Sequence, residues 1–287
     1  MNIFFWLYYI INYTDVFNEK RENKISQIKK VDKNFLDINI YSDEQDRTVL
    51  IKTPSNKIIA IDLYGDNIKK VLNFFKKNNI LIVDKFFLNN IKENYIDTFL
   101  NILNNIVIVE VVDTILESEN KKEHINFLNF IKKHPQILRK KITNTYELYI
   151  EPYFKIKIFY AFDNNENKNI GKAVILLEYK NINILLTSEN NYKEQYFLMK
   201  NKDFVNEISE NKITVFEYPN LSFENNIFDD FINLIAPKII IINPKSLFNG
   251  EIIDMNIWKN VENYEMKKIT NNFLNIRTDG KNIEFFD

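Results

Sequence analysis

Apolar positions along this chain follow two periods, one of strands and one of helices. At period two, Phe35–Ile40, Thr48–Lys52 and Lys57–Asp62 predict three successive strands, with Pro54-Ser55-Asn56 turning between the second and third. Ile68, Val71, Leu72 and Phe75 then sit at i, i+3, i+4 and i+7, the stripe of an amphipathic helix, before a strand over Ile80–Leu88. Ile96, Phe99, Leu100 and Leu103 repeat the helical spacing, Ile106–Val112 is the next strand, and a helix over Glu123–Lys133 is closed by Pro135.

The second half opens the same way. Tyr146–Ile150, Tyr153–Phe162, Lys172–Tyr179 and Ile182–Thr187 predict strands, and in the second of these Phe154, Ile156, Ile158 and Tyr160 share one face while Lys155 and Lys157 share the other. Helices near Tyr192–Lys200, Ile227–Ile235 and Ile252–Val261 alternate with strands Ile213–Phe216 and Lys238–Asn243. Asn271–Phe286 reads as a hairpin turning at Asp279-Gly280, a dipeptide that tolerates positive φ. Two βα halves, each starting with antiparallel strands, can bury their apolar surface as two stacked sheets under helices. The expected fold is therefore α/β (α+β), a four-layer αββα sandwich.

The segment before residue 34 differs. Met1–Tyr13 is almost wholly apolar and aromatic, too short to span a bilayer and without the basic region and small-residue cleavage site of a secretory signal. It reads as a first element packed on the domain or on a protein partner, with a weak anchor to a membrane surface as the alternative. Asn18–Lys33 is polar and charged. The expected division is thus 1–33, an apolar segment and linker, and 34–287, one domain, in a cytoplasmic or membrane-associated protein.

Composition narrows the chemistry. With 4 glycines in 287 residues, far below the usual ~7%, the chain has little material for glycine-cradled phosphate sites. Zero cysteines remove thiolate metal sites and cysteine nucleophiles. His124 and His134 lie ten apart and cannot form an i, i+4 metal pair, so they read as surface or capping residues. A net charge of −1 does not support nucleic acid as a partner.

Several local texts, in order, resemble the metallo-β-lactamase family, and within it the hydrolase-like C-terminal domain of the ComEC DNA-uptake channel. Phe35-Leu36-Asp37-Ile38, an acidic insertion around Ser42–Asp46, Val49–Lys57 and Ile61-Asp62 are similar to the family's opening FLDVGQGDAILIRTPSGKTILIDAG. Tyr179–Glu189 is similar to its YGGFSFLLTGD, Tyr218-Pro219-Asn220-Leu221-Ser222 to VPHHGS, and Phe231–Asn243 to LEAVRPRYAIIS. The resemblance covers about residues 34–287 and implies a metallo-β-lactamase-like sandwich.

Active relatives carry a HxHxDH loop whose ligands hold metal ions that activate water. The matching segment here is Asn90-Ile91-Lys92-Glu93-Asn94-Tyr95. The resemblance therefore implies a degenerate site at Asn90, Lys92, Asn94, Tyr95, Glu189 and Asn220, where Lys92 would add like charge beside any cation. Asp62 matches the family's loop-bracing aspartate; Asp62, Glu93 and Glu189 are the candidates for structural or weak cation contacts. Asp37 would have to join these three to hold a hard ion such as Mg²⁺. The expectation is a catalytically inactive binding or scaffold module without catalytic residue, metal or cofactor. The alternative is a divergent phosphodiesterase or nuclease using zinc or manganese, or a non-catalytic domain associated with DNA uptake.

Overall fold

Two sheets stack face to face, each running from antiparallel strands on one side to parallel strands on the other. The computed structural model describes residues 35–42, 46–63, 67–92, 95–116, 121–163, 168–187, 192–218, 228–242 and 264–287. Met1–Tyr13, the polar stretch up to Lys33 and the helix expected over Ile252–Val261 lie outside them. Phe35–Asp287 forms one compact unit.

The first half contains β1 (Leu36–Ser42), β2 (Arg47–Lys52), β3 (Ile58–Ile61), α1 (Asn67–Lys77), β4 (Ile82–Leu88), α2 (Tyr95–Leu103), β5 (Val107–Asp113), α3 (Lys121–Lys132) and β6 (Leu138–Lys141). Then come β7 (Tyr146–Glu151), β8 (Phe154–Asp163), β9 (Lys168–Tyr179), β10 (Ile182–Leu186), α4 (Tyr192–Leu198), α5 (Lys202–Glu210), β11 (Val215–Glu217), α6 (Phe228–Ile235), β12 (Ile239–Ile242), β13 (Glu265–Lys268), β14 (Phe273–Thr278) and β15 (Ile283–Phe286). One sheet has the order β15-β14-β1-β2-β3-β4-β5-β6 and the other β13-β12-β11-β10-β9-β8-β7. Parallel neighbours need long crossovers. Helices α1, α2 and α3 supply them between β3, β4, β5 and β6, as α4 to α6 do between β10, β11 and β12.

Strand alternation sorts side chains into three apolar layers. Leu36, Ile38, Ile40, Val49, Ile51, Ile59 and Ile61 meet Phe154, Ile156, Ile158, Tyr160, Ile175 and Leu177 between the sheets. The opposite phase of the first sheet, Leu50, Ala60 and Phe86, packs under Val71, Phe75, Phe99 and Phe127 of its helices. On the other side Val174, Leu176 and Phe216 lie under Phe204, Ile208 and Phe231. The expected four-layer αββα arrangement is what the chain adopts.

Differences from the sequence reading have local causes. The helix expected near Tyr192–Lys200 forms as α4, but a second helix that the spacing did not reveal, α5, follows it, started by the Asn201 side chain, which accepts from the backbone N–H groups of Asp203 and Phe204. β9 begins at Lys168 rather than Lys172 because Gly171, at φ 70°, carries the strand through a bend that hides the pattern. β6 and β13 are short strands at sheet edges with mostly charged sequence, so alternation does not reveal them. The Asp279-Gly280 turn forms as expected, with Gly280 at φ 88° and the Asp279 carboxylate accepting from the N–H groups of Lys281 and Asn282.

The buried hydroxyl of Tyr160 lies 2.8 Å from the carbonyl oxygens of both Thr114 and Ile142, tying the second sheet to the first. Tyr160→Phe is expected to lower stability by about 1 kcal/mol or slightly more, read as a drop in the urea midpoint at unchanged slope.

Candidate functional site

The parallel strands of both sheets end at one rim, where the backbone leaves the sheets for the crossovers and functional groups of open α/β sheets collect. Asp62 follows β3, Asn89 and Asn90 follow β4, Thr114 follows β5, Thr187 follows β10, and Glu217 ends β11. Arg47 and Thr48 begin β2, which runs antiparallel to β3 and so reaches the same rim.

Asp62 organises the first-sheet side. Its backbone is left-handed, at φ 54°, which Asp tolerates. Its Oδ1 accepts from the N–H groups of Asn89 and Asn90, both at 2.9 Å, and its carbonyl accepts from the Thr48 hydroxyl at 2.5 Å. Burial raises its carboxyl to about 6 against the opposing pull of Arg47, the two backbone donors and Lys172. Among the described residues, its Oδ2 has no hydrogen-bond partner.

Besides the Tyr160–Thr114 bond, two side-chain links cross between the sheets here. The Asn89 amide donates to the Ala173 carbonyl at 2.9 Å, while its oxygen accepts from the Ala173 N–H and the Thr114 hydroxyl. Arg47 of β2 donates through Nη1 to Glu217 of β11, and both side chains are more than nine-tenths buried. Thr187 fixes the Glu217 backbone by donating to its carbonyl at 2.8 Å. Burial pushes the Glu217 carboxyl up and Asp62 adds to that push, with Arg47 acting the other way.

The expected site residues fall out as follows. Asn90 is buried, its N–H bound to Asp62. Lys92 extends from the same loop and pairs with Asp46 at 2.7 Å. Tyr95 opens α2 and turns into the helix-side core, stacked on Phe99 at 5.9 Å and edge-on to Phe127. Glu93, Asn94, Glu189 and Asn220 lie outside the described residues. Asp37 does not join Asp62: it lies toward the opposite end of the sheet and pairs with Arg277 of β14 at 2.7 Å.

His134 has a capping role, with Nδ1 at 2.8 Å from the Phe130 carbonyl at the end of α3. His124 corrects the expectation. It is buried, 2.9 Å from Asp113 at the end of β5, in a cluster that Arg139 and Lys141 complete. Burial pushes the Asp113 carboxyl up, but His124, Lys141 and Arg139 more than offset it and hold it at about 2.

The alternating strand β8 offers no free basic face. Lys155 pairs with Glu178 at 2.9 Å, and Lys157 pairs with Glu178 at 3.1 Å and also with Glu207. A groove of about 410 Å³ between β7, β8 and α5 is lined by Lys157, Glu147, Glu207, Glu210 and Asp203.

Comparison with solved structures decides the fold. The metallo-β-lactamase fold protein YhfI from Bacillus subtilis superimposes with a TM-score of 0.55 at 6% identity, over 85% of this chain and all 100% of that one. This chain has the metallo-β-lactamase fold. Other solved proteins align more loosely: Zn²⁺-bound PqqB from Methylobacterium extorquens (TM-score 0.49, 8% identity, 78% of this chain and 85% of that one) and isothiocyanate hydrolase from Delia radicum gut bacteria (0.47, 9%, 81% and 96%). No protein-family model matches the chain, and no curated protein is similar to it in sequence.

Among the described residues, no group of three or more His, Asp or Glu side chains is placed to hold an ion. The carboxylates at the rim already face protein cations, Asp46 facing Lys92, Glu217 facing Arg47, and Asp62 lying in the fields of Arg47 and Lys172. These carboxylates are thus engaged one by one with protein cations rather than grouped in threes or more around one point. The described residues do not fit a metal centre.

Proposed function

We propose that the chain is a non-catalytic member of the metallo-β-lactamase fold, related to the ComEC C-terminal domain, that acts as a binding or scaffold module. The observation that carries this reading is the Lys92–Asp46 pair. In the loop that follows β4, where the resemblance implies metal ligands, a lysine ammonium stands with its own carboxylate partner, and Asn90 serves the backbone brace of Asp62. Water activation at neutral pH needs a strong Lewis acid or a base held against the water. Neither an imidazole nor an unpaired carboxylate comes from this loop among its described residues. A module of this kind works through its surface, and the apolar Met1–Tyr13 is the proposed contact to a protein partner or a membrane surface.

Metal analysis and hydrolysis assays on the purified full chain, expressed with zinc and manganese supplied, test the reading. The expected outcome is substoichiometric metal and no cleavage of bis(p-nitrophenyl) phosphate or single-stranded DNA above buffer. Stoichiometric, tightly held metal together with cleavage would instead establish the divergent phosphodiesterase.

A further inference from the structure

We propose that Arg47 is the resident cation of the strand-end site: its guanidinium, bound to Glu217, locks the rims of the two sheets together and makes the site independent of metal. The inference rests on the non-catalytic reading and goes beyond it by naming what holds the site closed. Arg47 belongs to the first sheet and Glu217 to the second, so their pair spans the sandwich. Each side chain lies on the inward phase of its strand, Arg47 in step with Val49 and Ile51, and Glu217 in step with Val215. A charged pair at such positions is largely withdrawn from water, and removing one member strands the other.

The neighbours are arranged around this pair. Thr48, next to Arg47 in sequence, and Thr187, at the end of the β10 strand that pairs with β11, hold the backbones of Asp62 and Glu217 by hydroxyl donation. Asp62 feels the guanidinium and braces Asn89 and Asn90, and Asn89 makes the second cross-sheet link. A cation that draws carboxylates from both sheets toward one point is the structural service a bound metal would otherwise supply at this rim. The lock is imperfectly satisfied. Arg47 Nε and Nη2 and Asp62 Oδ2 have no hydrogen-bond partner among the described residues. Replacing both members of the Arg47–Glu217 pair by apolar residues of similar volume therefore removes unsatisfied polar groups together with the bond itself.

The test is thermal unfolding of the full chain by circular dichroism, in excess EDTA and in excess zinc chloride, for wild type, Arg47→Met and Arg47→Met/Glu217→Met. The wild-type midpoint is expected to be the same in EDTA and zinc. Arg47→Met is expected to lower it by about 10 °C, and the double variant to recover at least half of that loss. If Arg47→Met does not fold, the double variant decides: cooperative unfolding supports the lock, and failure to fold overturns it. An EDTA-sensitive wild-type midpoint restored by zinc overturns both this proposal and the non-catalytic reading. An EDTA-indifferent wild type whose midpoint is matched by Arg47→Met, or a double variant no better than a folded single one, overturns the lock alone.

Discussion

Asp113→Asn is expected to destabilise the protein by about 2.5 kcal/mol near neutral pH and to be harmless in strong acid. Asn has the shape and charge of the protonated acid, so the substitution subtracts the contribution of the ionised carboxylate. That carboxylate is fully buried and gathers His124, Arg139 at 2.6 Å and Lys141 at 3.3 Å, which join β5, β6 and α3. The sign follows from the direction of the shift. The folded-state value, about 2, lies below the ordinary 3.8, so the stabilisation is complete above 3.8 and is withdrawn as pH falls through about 2. Urea unfolding of wild type and variant across this window checks it. The difference between them should be nearly constant from neutrality down to about pH 4, mostly lost by about pH 2 and gone below it. A difference that persists unchanged into acid would mean the cluster acts through shape and not through charge.

The same cluster shows where the sequence was readable. Most of the strands, their antiparallel-then-parallel order and the four layers follow from alternation and helical spacing, because most positions are simply apolar or polar and the two sheets need covering. His124 was legible only as one of two histidines, since its partner Asp113 is supplied by the end of another element through a crossover. Lys157 was legible as lying on the face of β8 opposite Phe154 and Ile156, but not as a partner of Glu207, which α5 brings to that helix-side face beside Phe159. Arg47 and Glu217 carried a usable signal: each is a charge on the inward phase of an otherwise apolar strand, and two such charges of opposite sign in stacked sheets invite pairing. What no spacing rule supplies is that β2 and β11 meet at one rim, a consequence of sheet order and stacking. Asn89 was hidden differently, because an amide bonding to a backbone leaves no complementary residue type to look for.

Asp62→Asn is expected to have the opposite sign, stabilising the protein above about pH 6 by up to about 3 kcal/mol. Burial raises this carboxyl from 3.8 to about 6, so the folded state holds the proton more tightly than the unfolded chain does. Stability linked to Asp62 is therefore complete below 3.8 and is lost as pH rises through about 6. Asn keeps one oxygen to accept from Asn89 and Asn90 and carries no charge to desolvate, so the variant escapes that loss. Wild type and variant should converge near pH 4 and separate toward neutrality in guanidinium unfolding curves. Asp62→Ala is the control: it strips the acceptor from two buried N–H groups and should destabilise by about 2 kcal/mol or more at every pH. An aspartate whose ionised form is required, as in a metal-ordering brace, predicts the reverse, with Asp62→Asn damaging most at neutral pH. The slope of the Asp62→Asn difference against pH thus separates a carboxyl kept for its hydrogen bonds from one kept for its charge.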